Sequence, residues 1–239
     1  MIISHQHEFV FIKTRKTAGS SMEIALSKFL GSHDVITPSM PIEEEAMRTA
    51  LGFRGPQNFG LPIGEWKPNH FIDFAMGRRP KRFSAHSDAK KVAAYLDREE
   101  FRRYTKILTV RNPYTYVVSL YNWHARLTGP NPEGFRDWLS AGQGDLRFSN
   151  YGMGKVEGRF VMDYVMHFET IAEDAGRLAQ NLNLPGDLAT VFKSINAKSE
   201  LPIHRLTFEE AYGFFPRAKE LVEEKFHEEI SIFGYGFPE

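Results

Sequence analysis

The chain has 239 residues and a formal net charge of zero, thirty Lys and Arg balancing thirty Asp and Glu, which argues against a broad basic surface for nucleic acid. It contains no cysteine, so disulfides, thiolate catalysis and thiolate metal sites are excluded. Hydrophobic residues make up 42 % of the chain, enough for one sizeable core, so a single domain spanning 1–239 is expected. No apolar run approaches the ~18–20 residues of a membrane span. The sequence enters strand-like residues with no export signal, so a cytoplasmic location is expected.

Residues 8–13, rich in Phe, Val and Ile, read as a strand buried on both faces. Met22, Ala25, Leu26, Phe29 and Leu30 then follow helical spacing from Ser20 to Leu30, with Gly31 as the stop. A short helix is expected over 41–51, where Pro41 opens it and Glu43, Glu44 and Glu45 favour its positive end. The stretch 52–83 is dense in Gly and Pro, yet contains Phe53, Phe59, Trp66, Phe71, Phe74 and Phe83. It therefore reads as an ordered, aromatic and basic loop covering a site.

Farther on, Ser87–Leu96 reads as a short helix, 106–110 as a second buried strand and 113–127 as a helix. A Gly-rich loop covers 140–158, Val161–Phe168 forms a strand, and the helix Ile171–Leu182 is ended by Asn183 and Pro185. The amphipathic stretch Pro216–Phe233 closes the series. Strands alternating with helices predict an α/β fold with a mainly parallel sheet covered on both faces.

Two strand–turn–helix junctions carry the chemistry. The first strand runs into Thr14-Arg15-Lys16-Thr17-Ala18-Gly19-Ser20-Ser21. Backbone amides at such a helix start converge on one point, and the helix dipole favours an anion there. Gly19 permits close approach, Ser20 and Ser21 offer hydroxyls, and Lys16 offers a compact charge for a departing oxyanion. The order is not that of the triphosphatase loop, because the lysine here precedes the glycine by three positions. An ordinary turn with solvated Lys13, Arg15 and Lys16 is the plain alternative. In the second junction, Val110-Arg111-Asn112-Pro113-Tyr114 opens a helix bearing Ser119. Arg111 at the strand end supplies a rigid fork for a phosphate, or else a structural ion pair. Ser119 lies about one and a half turns into that helix, so geometry alone does not bring it to the same phosphate.

The run Lys16-Thr17-Ala18-Gly19-Ser20-Ser21 resembles the Lys-Thr-Ala-Gly-Thr-Ser loop of sulfotransferases that use 3′-phosphoadenosine 5′-phosphosulfate (PAPS). The most similar branch holds the carbohydrate O-sulfotransferases of heparan and chondroitin type and their bacterial relatives. The resemblance extends from about residue 8 to residue 237 and includes Arg111-Asn112-Pro113 with Ser119-Leu120-Tyr121. Phe168-Glu169, Asn196 with Lys198-Ser199, and Phe233-Gly234-Tyr235-Gly236-Phe237 also match its landmarks. It implies a P-loop-nucleotide-kinase-like three-layer architecture. It also implies that residues 15–21 grip the 5′-phosphosulfate, while Arg111 and Ser119 grip the 3′-phosphate. Two departures stand out: Arg15 where the family commonly has proline, and Ser20 for the common threonine.

Sulfuryl transfer to an alcohol needs a base, an aligned donor and neutralised leaving-group charge. His86, in Phe83-Ser84-Ala85-His86-Ser87-Asp88, stands where the family implies its catalytic base. His70 in the aromatic cover is the second candidate, and His124 is expected to pack on its own helix. Glu23 and Trp66 are weaker candidates for acceptor contacts, Glu23 having a structural carboxylate as its alternative. No metal is expected, since no His or carboxylate cluster has ligand spacing. The acceptor is a carbohydrate or small molecule. A small-molecule kinase and a non-catalytic nucleotide-binding protein are the rival classes; the first predicts Mg²⁺ dependence, the second binding without turnover.

Overall fold

The run Phe9–Ile12 is buried at every position, and its side chains divide by parity between two cores. A computed structural model describes residues 1–39, 42–142, 149–195 and 205–238. Its first half comprises β1 (Ile2–Ser4), β2 (Phe9–Ile12), α1 (Gly19–Ser27), β3 (Val35–Ile36), α2 (Ile42–Ala50), α3 (Pro68–Ala75), α4 (Ala89–Ala93), α5 (Arg98–Arg103) and β4 (Thr105–Val110). There follow α6 (Pro113–His124), α7 (Pro132–Ser140), β5 (Lys155–Val156), β6 (Arg159–Phe160), β7 (Tyr164–His167), α8 (Ile171–Asn181), α9 (Leu188–Ser194), α10 (Phe208–Phe214) and α11 (Ala218–Phe233).

Five strands form one sheet in the order β3-β1-β2-β4-β7, and β5 pairs with β6 in a separate hairpin. Phe9 and Phe11 face α1, α8 and α9, whereas Val10 and Ile12 face Phe83, Val92, Leu96 and Met153. The strand period of two thus divides the hydrophobic interior between the two faces. A third core joins α6, α7, α10 and α11 around Val117, Phe135, Tyr212 and Val222. The whole is a single α/β body.

The sheet is mixed, and this corrects the expectation of a mainly parallel one. β2–β4 and β4–β7 pair in parallel, but β1 pairs antiparallel with both β2 and β3. Only four residues separate β1 from β2, too few for a crossover, so the chain must reverse as a hairpin. Asp34 supports that reversal by accepting from the backbone amides of His5 and Gln6 at 2.7 and 3.1 Å. His5 and His7 are half-buried and bonded to the Tyr104 hydroxyl and the Phe29 carbonyl.

The three parallel strands β2, β4 and β7 end side by side, with Ile12 beside Leu108 and Val110 beside His167. Ligands in open α/β sheets bind beyond the carboxyl ends of such strands. That edge is where the 13–18 turn, Arg111 and Phe168-Glu169 emerge. Within 52–83 the chain forms a helix, α3, and a one-turn 3-10 segment at Ile63–Glu65 that the Gly and Pro density concealed. Pro41 lies outside the described residues, as do Asn196, Lys198 and Ser199. Among the described residues no helix is long and apolar enough to cross a membrane.

Candidate active site

β2 delivers the chain into a sharp turn in which Lys16 and Ala18 both have φ of 56°, the left-handed region that few side chains favour. The turn is braced from below. The Thr17 hydroxyl meets that of Thr14 at 2.8 Å, and Thr14 donates to the Thr109 carbonyl of β4 at 2.6 Å. α1 then begins at Gly19 with no side-chain cap. A Cβ at Gly19 would lie 3.1 Å from both the Lys13 side chain and the Thr14 carbonyl, so the close approach calls for glycine.

The turn lines a cleft of about 570 Å³ with Lys13–Ser20, Ser84, Ala85, His86, Leu120 and Trp123. Ser21, one position beyond, is not among these lining residues. A second cleft of about 360 Å³ is lined by Arg111, Thr115, Val118, Ser119, Asn122 and Arg205–Phe208. Lys16 and Trp123 line both clefts, so the two are lobes of one depression. Five cations line it: Lys13, Arg15, Lys16, Arg111 and Arg205. No carboxylate does so among the described residues, in a chain whose charges otherwise balance. Such a concentration of one sign raises local anion affinity.

Arg111 links the two motifs. Its guanidinium donates to the Lys16 carbonyl at 2.9 Å and to the Thr115 hydroxyl at 3.1 Å, and lies 4.1 Å from the Phe168 ring centre. Burial lowers its pKa to about 10, which leaves it cationic at neutral pH. Residues 111, 115 and 119 are spaced by four, so Arg111 runs along the same face of α6 that carries Ser119. Arg111, Thr115 and Ser119 thus line the same lobe. The C-terminal landmarks fasten this motif: Glu169 accepts from the Asn112 amide, and the Asn112 side chain donates to the Gly236 carbonyl, each at 2.8 Å.

His86 lies in the turn before α4, whose N-cap is Asp88, and not inside a helix. Its Nδ1 is 2.8 Å from the Lys13 carbonyl. A carbonyl only accepts, so Nδ1 carries the proton and the neutral ring keeps its lone pair on Nε2. His86 is exposed to the cleft, yet burial of its ring, with the charges of Lys13 and Arg15, lowers its pKa to about 4. The imidazole is neutral at physiological pH, with Nε2 left as its acceptor nitrogen.

The other candidates lie elsewhere. Glu23 is fully buried and accepts from Lys13 at 2.8 Å, Ser39 at 2.9 Å, Thr37 at 3.1 Å and the Met1 amino group at 2.6 Å. Burial alone would raise its pKa, but these positive partners and Arg48 hold it low. It anchors Lys13 beneath the turn and does not line either cleft. His70 accepts from the Lys67 amide at the start of α3, and the Trp66 indole donates to the Leu61 carbonyl. Neither lines a cleft, and residues 52–82 contribute nothing to either lobe. The His124 ring lies 6.2 Å from that of Trp138 of α7, centre to centre.

Sequence reasoning missed Trp123, Asn150, Thr115 and Arg205. Trp123 lies 5.0 Å from Lys16 Nζ and 3.9 Å from the Arg126 guanidinium. Asn150 is buried, and its side-chain amide bonds both the N–H and the C=O of Arg15 at 3.0 Å. That pair offsets the freedom gained where proline is absent. Its neighbour Ser149 donates at 2.7 Å to Glu229, a buried carboxyl whose pKa burial raises to about 7. A raised carboxyl stabilises the fold fully below the ordinary value near 4.5, and that contribution is lost as pH rises through about 7. Glu229→Gln should therefore raise the melting temperature by several degrees at pH 8 and by little at pH 4, as measured by calorimetry.

No family model, curated protein or solved structure matches this chain.

Proposed function

We propose that the chain is a PAPS-dependent O-sulfotransferase, acting on a hydroxyl of a carbohydrate or small-metabolite acceptor through a P-loop-like strand–turn–helix site. One observation carries this reading: two cation-lined lobes, free of carboxylates among the described residues, meet at Lys16 and Trp123. Such a depression suits an elongated ligand with an anionic group at each end. A Mg²⁺-dependent phosphotransferase would place carboxylates where the metal bridges phosphates.

The turn residues 15–20 and the uncapped start of α1 would bind the 5′-phosphosulfate, while Arg111, Thr115 and Ser119 would bind the 3′-phosphate. The acceptor oxygen attacks sulfur as its proton passes to His86 Nε2. The bond between sulfur and the bridging oxygen breaks, and the electron pair leaves on the 5′-phosphate. Lys16 neutralises that growing charge, a contribution largest in the transition state. The products are a sulfate ester, 3′,5′-bisphosphoadenosine and a proton.

Lys16→Ala should lower kcat about 10²–10³-fold with a smaller loss of donor affinity. Transfer of labelled sulfate from PAPS to a panel of hydroxyl acceptors measures both. Unchanged turnover in the variant would refute the role of Lys16, and an active site that accepts ATP–Mg²⁺ instead would refute the reading as a whole.

A further inference from the structure

Residues 61–82 form an excursion that closes on itself. Gly60 pairs with Lys81, and the Leu61 amide donates to the Pro80 carbonyl at 3.0 Å. The Arg82 amide donates to the Phe59 carbonyl at 2.9 Å. Beyond this neck, α3 has no buried residue. Trp66 supports the tip, its indole bonded to the Leu61 carbonyl and its ring 5.2 Å from those of Phe71 and Phe74. Gly77, at φ 78°, ends α3 where a left-handed residue is needed.

This excursion is apolar on the outside. Ile63, Ile72 and Met76 are 70 %, 63 % and 64 % exposed, and Phe71 and Phe74 about half. Contiguous apolar exposure of this kind on a folded protein marks a binding surface. Lys67, Arg78, Arg79, Lys81 and Arg82 accompany it against only Glu65 and Asp73, in a chain that is neutral overall. Arg82 pairs with Glu65, while Lys67, Arg78, Arg79 and Lys81 are exposed.

We propose that residues 61–82 dock the protein on the surface of an anionic lipid bilayer. The charge pattern selects this occupant. Five cations against two carboxylates complement an anionic surface. A short helix with large apolar side chains, a tryptophan and flanking Lys and Arg matches the headgroup–acyl boundary. The apolar tip enters that boundary while the cations meet lipid phosphates, each strengthening binding about five-fold near an anionic surface. Arg82 is followed within four residues by His86, so docking places the wall of the first cleft close to the bilayer. Docking needs neither donor nor acceptor, and so it stands apart from the transfer reaction.

Co-sedimentation with vesicles of phosphatidylcholine alone, or with about 30 % phosphatidylserine added, tests the proposal. The full chain should sediment with the anionic vesicles, weakly with the neutral ones, and less at high salt. Ile72→Ser with Met76→Ser should abolish sedimentation, as should Arg78→Glu with Arg79→Glu. All four side chains are exposed, so melting temperature and circular dichroism should not change. Failure of the wild type to bind anionic vesicles would overturn the proposal, as would equal binding by the variants or equal binding to neutral vesicles. Self-association lost in the Ile72/Met76 variant, without vesicle binding, would assign the surface to a second copy and overturn it too.

Discussion

Replacing His86 by alanine is expected to lower kcat for sulfuryl transfer by about 10²–10⁴-fold, with affinity for 3′,5′-bisphosphoadenosine nearly unchanged. The expectation follows from tautomer and position. The Lys13 carbonyl fixes the proton on Nδ1, and His86 is exposed to the cleft that the 13–18 turn lines. If His86 is the base, its lowered pKa, about 4, should set the acid limb of kcat/KM. The neutral ring is the active form, so kcat/KM should stay flat as pH falls from 7 to about 5 and decline only below that. In the donor complex, negative charge stabilises the imidazolium, so the acid limb of kcat should lie at higher pH than that of kcat/KM. An unchanged kcat in His86→Ala would remove His86 from the reaction. A kcat/KM limb at the ordinary histidine value would contradict the electrostatics described for the cleft.

Arg111→Ala is expected to weaken binding of 3′,5′-bisphosphoadenosine by on the order of 10²–10³-fold, the worth of a charge-assisted, two-pronged contact. The more diagnostic quantity is selectivity. Arg111 also bonds the Lys16 carbonyl, so its loss loosens the first turn and weakens any adenosine ligand to some degree. Only the bisphosphate loses the second contact as well. The preference for the bisphosphate over adenosine 5′-monophosphate should therefore collapse in Arg111→Ala. Arg111→Lys should recover little, because lysine keeps the charge but lacks the planar fork that reaches both Thr115 and Lys16. Calorimetric titration of both nucleotides against the three proteins decides the matter. A preference that survives in Arg111→Ala would place the 3′-phosphate elsewhere.

Much of this arrangement was legible in the residues themselves. The strand at 9–12 stands out as a continuous apolar run, and that at 106–110 by Ile107, Leu108 and Val110, as both faces of each are covered. Each is followed directly by residues that line one of the two lobes, so the lobes could be anticipated as a pair. What escaped was set by contacts distant in sequence. β1 and β3 have three and two residues, too few to show a period, and the mixed sheet escaped with them. Asn150 is a single asparagine in a Gly-rich stretch; only the fold brings it to Arg15. Thr115 was recoverable, since it lies midway between Arg111 and Ser119 at helical spacing. Glu23 could not be assigned from α1 alone, because its partners Lys13, Thr37, Ser39 and Arg48 come from β2's end, the segment after β3, and α2. α3 defied the usual amphipathic reading because neither side of it is buried.

The account stands on a single adenosine ligand spanning both lobes, and a co-crystal structure with 3′,5′-bisphosphoadenosine examines that directly. It should show the 5′-phosphate against Lys16, Gly19 and Ser20, the 3′-phosphate against Arg111 and Ser119, and the His86 imidazole facing the position beyond the 5′-phosphate. A bound nucleotide that leaves either lobe without a phosphate would contradict it.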